Sequence, residues 1–356
     1  MIARMAGAIG LLVTLACGSV QGQAPPGDSY AATVVAAMPH YLPEQEVSGV
    51  IRISGHGSAA NPWMRQLLIA WQQDFRRFQP GITLEYRMYG TSSAIPALFN
   101  GVADVAILGE EIDPAAVRTF ERVKHYPPLG VNVFTGSLDI RNIDYAQQIF
   151  VHKDNPLAKL SLEELDAILG VDHRRSTSNI RTWGELGLTG EWANQPITPY
   201  SWRIDDSFGI FLQQYVLEGS HRWNCALHEY SHIYRPDGTI YDHGQQILDA
   251  LANDRYGIAV SNIRYAGPNV KALPIAVTPA GPFYAATRQT LIDQTYPLAR
   301  IIPAVIDRKP GTAVDPKIRE FLLYLLSQEG QRVLLNDGRY LPLSPGALPR
   351  ERRKLN

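Results

Sequence analysis

Two spacings of apolar positions alternate along the chain, and their order defines the expected elements. Val50-Ile51-Arg52-Ile53 reads as a strand, and Gly55-His56-Gly57-Ser58 as a tight loop after it. Pro62 suits the first turn of a helix. Trp63, Leu67, Trp71, Phe75 and Phe78 then recur every three or four residues, which predicts an amphipathic helix. Ile82 to Tyr89 is the next strand. Gly90-Thr91-Ser92-Ser93 opens a helix carrying Ile95, Leu98 and Phe99, and Ala103 to Leu108 is a third strand. This alternation implies a mostly parallel sheet with helices on its faces.

A second unit of the same kind follows. Ile149-Phe150-Val151 is a strand, ended by Asp154-Asn155-Pro156. Leu160 to Leu169 is a helix capped by Ser161 with Glu164 three residues on. Ile197 to Trp202 is a strand leading into Arg203-Ile204-Asp205-Asp206-Ser207. Phe208, Phe211, Leu212, Tyr215 and Val216 mark a helix, Gln245 to Ala252 another, and Gly257 to Val260 a strand. Ile318, Phe321, Leu322, Leu325 and Leu326 mark a late helix. The pattern is α/β in two similar halves, with no short internal repeat.

The N-terminus departs from this pattern. Arg4 followed by the apolar run Ala6 to Ala16 reads as an export segment, residues 1–22. Cleavage after Val20-Gln21-Gly22 leaves Gln23 first, whereas Thr14-Leu15-Ala16-Cys17 is an imperfect lipoprotein box. Residues 23–47 lack a firm period and read as a linker or arm. Beyond the N-terminus no apolar run approaches the ~20 residues of a spanning helix.

Charge and cysteine content narrow the function. The 356 residues carry a formal net charge of -1, so overall charge gives no support to a nucleic-acid partner. With Cys17 in the export segment, Cys225 is the one cysteine of the body, and an internal disulfide has no second partner. The expectation for Cys225 is a buried thiol without chemistry.

Two short motifs suggest other chemistry. Gly55-His56-Gly57-Ser58-Ala59-Ala60 fits a dinucleotide fingerprint, but Glu85 lies inside the second strand rather than at its end. His228-Glu229-Tyr230-Ser231-His232 fits the zinc-hydrolase pattern, which needs both histidines on one helix face. The aromatic and β-branched surroundings read as a strand instead. The expectation is no catalytic zinc site, no cofactor and no enzyme.

An ordered set of segments resembles the phosphate-binding proteins of bacterial ABC transporters. Gly101-Val102-Ala103-Asp104-Val105-Ala106 is similar to a strand of that family's first lobe. Phe150-Val151-His152-Lys153-Asp154-Asn155-Pro156 and Thr182-Trp183-Gly184-Glu185-Leu186 resemble its middle. Tyr296-Pro297-Leu298-Ala299-Arg300, Ser327-Gln328-Glu329-Gly330-Gln331 and Tyr340-Leu341-Pro342-Leu343 resemble its closing signature. The likeness spans roughly residues 48–345.

The resemblance implies a two-lobed type II periplasmic-binding fold, each lobe a mostly parallel sheet covered by helices. Crossings near Gln147 and Tyr296 would give lobe 1 as 48–146 plus 297–350 and lobe 2 as 147–296. The implied role is capture of a small oxyanion, foremost phosphate, by a periplasmic or extracellular monomer that serves a membrane permease; a non-transport interaction protein on the same fold is the alternative.

The implied ligand residues lie at loop-to-helix junctions, where free N–H groups and the helix dipole attract anions. Ser58 supplies the hydroxyl of the first junction. At the second, Thr91 stands where the family has a ligand-binding serine, with Ser92 beside it. At the third, Arg203 and Ser207 keep the family's spacing, while Phe208 and Gly209 replace its Gly-Thr. The family's phosphate-proton acceptor is an aspartate whose position here is Gly109, followed by Glu110 and Glu111. Each of these loops also reads as an ordinary cap or turn, and the two glutamates as solvated charges.

Overall fold

The computed structural model of the chain describes residues 28–57, 62–140 and 143–356. The export segment, Cys17, Gln23 and Ser58 lie outside the described residues. A helix, α1 (Asp28–Ala36), occupies the segment read as a linker or arm. Its Ala31, Val34 and Val35, with Met38 and Tyr41 after it, are buried. The Tyr41 hydroxyl donates to Glu320 at 2.6 Å, so this segment is packed structure.

The first sheet begins with β1 (Ser48–Gly55), α2 (Trp63–Phe75), β2 (Gly81–Arg87), α3 (Thr91–Phe99), β3 (Val105–Ile107), α4 (Pro114–Lys124) and β4 (Leu129–Thr135). The apolar stripe of α2 explains its placement: Trp63, Met64, Leu67, Leu68, Trp71 and Phe75 are all buried. Gly55 is needed for sheet packing, since a Cβ there would lie 2.0 Å from the Ile107 carbonyl oxygen. That close approach accounts for the glycine without any dinucleotide.

The second lobe follows, through β5 (Gln148–His152), β6 (Leu160–Ser161), α5 (Leu162–Leu169), β7 (Thr198–Trp202), α6 (Ser207–Tyr215), β8 (His228–Tyr230), β9 (Ile233–Tyr234), β10 (Ile240–Tyr241), α7 (His243–Leu251), β11 (Gly257–Ser261), β12 (Val270–Leu273) and β13 (Ile275–Ala276), with β9 paired to β10 and β6 to β13 outside the main sheet. The Ser161–Glu164 capping box forms as the sequence indicates. A short helix, α8 (Arg288–Ile292), precedes the return to the first sheet as β14 (Ile301–Ile306). Helices α9 (Pro316–Leu325), α10 (Gln328–Asp337) and α11 (Leu348–Arg353) complete the chain.

The sheet orders are β2-β1-β3-β14-β4 and β12-β5-β11-β7-β8. In the first, only β14 runs against its neighbours. In the second, only β5 does. Each reversed strand is the first sheet strand after the chain passes from one lobe to the other. The two passages touch: the Gln147 N–H donates to the Leu298 carbonyl at 3.2 Å, and the Tyr296 hydroxyl to the Gln147 carbonyl at 2.9 Å. Cys225 is exposed, contrary to the buried thiol expected. Among the described residues no helix is long and apolar enough to cross a membrane.

Candidate functional site

The N-terminal ends of α3, α6 and α7 face one cleft between the two lobes, with a volume of about 470 Å³. Gly90 precedes α3 with φ +96°, a conformation that glycine adopts without strain. No side chain caps α3. The Ser93 N–H bonds the Gly90 carbonyl at 3.1 Å, which leaves the Thr91 and Ser92 N–H groups of the first turn for an anion, beside the Thr91 and Ser92 side chains that line the cleft. The other two ends differ. Asp206 caps α6 by accepting from Gly209 N–H at 2.9 Å, and Asp242 caps α7 by accepting from Gly244 N–H at 3.0 Å. A carboxylate cap already satisfies those donors and offsets the local dipole.

Of the residues singled out in the sequence, Thr91, Ser92, Glu110, Ser207 and Phe208 line the cleft. Ser207 and Glu110 line the same cleft from the two lobes, and the Ser207 hydroxyl opposes the burial-driven rise of that carboxyl. Phe208 stacks on Tyr145 with ring centroids 5.0 Å apart and packs on Trp202 at 4.8 Å. The bulky ring is thus part of an aromatic floor.

Three others are placed elsewhere. Glu111 turns to Arg300, with Oε2 2.7 Å from Nε, and accepts from the Ile301 N–H at 2.9 Å. Arg203 is half exposed and pairs with Asp205, its Nε donating to Oδ1 at 2.8 Å. Gly209 is buried against the Arg203 carbonyl, which a Cβ would meet at 2.1 Å. Its glycine is a packing requirement of the helix start.

Much of the electrostatics comes from Arg300, Asp144 and His56, which the sequence does not mark as site residues. Arg300 is 1% exposed and bonds Asp144 at 3.2 Å as well as Glu111. Its guanidinium also lies over Phe211, 4.3 Å from the ring centroid. One cation thus faces three carboxylates, Glu110, Glu111 and Asp144. Burial raises the Asp144 carboxyl well above its ordinary range, and the Arg300 charge opposes that rise. Burial raises Glu110 in the same way. His56 lies on the lobe 1 wall, its Nδ1 2.7 Å from the Thr91 hydroxyl. Burial lowers it to about 4, so the ring is neutral near pH 7. The lobe 2 wall carries His232, Asp242 and His243. Among the described residues, no lysine or arginine lines the cleft.

The two histidines of the His-Glu-x-x-His run do not come together with Glu229 at one site. His228 on β8 is exposed and stacks on Tyr200 at 5.2 Å, while Glu229 accepts from the Ile204 N–H at 2.9 Å. The strand reading holds for residues 228–230. The chain breaks before His232, so alternation does not carry both histidines to one side.

The sequence pattern that describes the PBP superfamily domain matches residues 42–329. The chain belongs to the PBP superfamily. Among relatives in that superfamily, the phosphate-binding protein PstS from each of two Pseudomonas aeruginosa strains is 29% identical over 317 residues, 88% of this chain and 90% of theirs. The crystal structure of PstS from Borrelia burgdorferi superposes with a TM-score of 0.53 at 13% identity, covering 83% of this chain and 100% of that one. That likeness shows a shared fold: the two-lobed type II periplasmic-binding architecture of this superfamily member.

Proposed function

We propose that this protein captures a small oxyanion, foremost phosphate, in the inter-lobe cleft and presents it to an ABC-type membrane permease. The observation that carries the reading is the uncapped N-terminus of α3, which opens on the cleft beside Thr91 and Ser92 and opposite Ser207. The relatives named phosphate-binding protein support phosphate as the first candidate. Their names describe binding, which supports a non-enzymatic role here.

Glu110 is the proton acceptor in this reading. Hydrogen phosphate carries a proton that a buried carboxylate can accept, and sulfate leaves that carboxylate facing an unpaired like charge. Asp144 is the second carboxyl in reach of the cleft. Glu111 has no such part, being held by Arg300. The protein works as an exported monomer, with lobe crossings near Gln147 and Tyr296. A thermal-shift screen with phosphate, sulfate, molybdate and nucleotides tests the reading. A ligand that binds only the folded state raises its melting temperature, and phosphate should give the largest rise.

A further inference from the structure

The lobe 2 wall of the cleft holds a group of side chains for which oxyanion capture has no use. We propose that His232, Asp242 and His243 form a binding site for one divalent transition-metal ion of the zinc class. One ligating atom from each lies within 4.8 Å of the other two. An ion with bonds of about 2.1 Å holds its ligands up to about 4.2 Å apart, so small side-chain rotations close the set.

The surroundings suit such an ion. The His232 and His243 rings face each other with centroids 3.9 Å apart. Two protonated imidazoles repel at that distance, whereas two neutral ones can share a cation. The Asp206 carboxylate lies 3.7 Å from Nδ1 of His243. A carboxylate behind one ring nitrogen is the usual outer partner of a ligating histidine, and it leaves Nε2 for the ion. Nδ1 of His232 accepts a long bond from the His243 N–H at 3.3 Å. Asp242 uses Oδ1 for its helix cap, and its carboxylate lies beside the Tyr265 hydroxyl, which a bound ion would displace.

Charge and ligand type set the class. The start of α7 bears partial positive charge, which opposes a cation. Asp242 and Asp206 offset it, and Glu110 and Asp144 line the same cleft. Two imidazoles with one carboxylate favour zinc, nickel or copper over magnesium or calcium, which take oxygen ligands. Three protein ligands leave a position open toward the cleft for water. Glu229 is bonded to Ile204 rather than placed at this group, so the geometry points to binding without hydrolysis. The inference does not rest on the oxyanion reading.

The test uses untagged protein, stripped with chelator, dialysed, and titrated with zinc chloride in a calorimeter, with bound zinc counted by mass spectrometry. One zinc per chain is expected. His232→Ala and His243→Ala should each weaken it by about tenfold or more, and His228→Ala should leave it unchanged. Asp242→Asn keeps a helix-capping side chain and should also weaken zinc, with an unchanged melting temperature in the metal-free state. Substoichiometric zinc would overturn the proposal. So would full binding by the His232→Ala/His243→Ala double variant, or magnesium binding as tight as zinc.

Discussion

The imidazole of His56 occupies the space that a side chain at Gly109 needs: a Cβ on Gly109 would lie 2.1 Å from Nδ1 and 2.3 Å from Cγ. The ring is fixed by its bond to Thr91 and by Trp63, whose centroid is 5.0 Å away. A glycine where the resembling family keeps a carboxylate thus follows from packing, with the histidine filling the room.

Gly109→Ala should therefore destabilise the fold by about 1–3 kcal/mol through overpacking. His56→Ala in the same chain should recover most of that loss. Urea denaturation of the two single variants and the double variant measures the coupling. A Gly109→Ala single variant as stable as wild type would contradict the steric relationship.

Acid should weaken the protein through His56. Its pKa is depressed from 6.5 to about 4 by burial, so the unfolded chain takes up the proton first as pH falls. The stability contribution is full above about 6.5 and is lost as pH falls through about 4, by about 3 kcal/mol. His56→Gln should flatten that part of the stability-versus-pH curve, measured by denaturant unfolding between those values.

Arg300 should be the most costly single charge to remove near the cleft. Arg300→Met leaves Glu111 and Asp144 without their cation, which should cost about 3–5 kcal/mol. Chemical denaturation checks this, and a loss below 1 kcal/mol would contradict the buried network described.

Arg203 should matter little. It is exposed and paired with Asp205 rather than turned into the cleft. Removing one member of an exposed pair is worth about 0–1 kcal/mol, so Arg203→Ala should change phosphate affinity less than about fivefold. Calorimetry on the folded variant decides the point, and a larger loss would show that the side chain reaches the anion.

Local patterns made much of the fold legible. The stripe on α2, the Ser161–Glu164 cap and the Gly90-Thr91-Ser92 helix start depend on neighbours in the chain, and each is where the sequence places it. The helix α1 was missed because its short apolar face is completed only by distant segments. A cue existed for α4, since Asp113 before Pro114 is a cap followed by a first-turn proline. The site was half legible for the same reason. Thr91, Ser207 and Glu110 sit in recognisable loops. Asp144 lies on a lobe crossing without periodic pattern, and Arg300 gains its role only when β14 inserts between β3 and β4. Asp242-His243-Gly244 was readable as an Asp cap, but nothing local says that His232 folds back upon it.

Carboxylate chemistry should set the choice of anion. In wild type, phosphate should outcompete sulfate. Glu110→Gln should narrow that preference, while Glu111→Gln should leave it intact because Glu111 faces Arg300. Competition binding with both anions measures this, and an unchanged preference in Glu110→Gln would remove Glu110 from the acceptor role.

Calorimetric titration of phosphate into exhaustively dialysed protein bears most directly on oxyanion capture in the cleft. Binding at one site per chain is expected, weakened by about tenfold or more in the Thr91→Val/Ser207→Ala variant, which loses hydroxyl donors on both lobes. Absence of phosphate binding by folded wild-type protein, or full affinity in that variant, would contradict it.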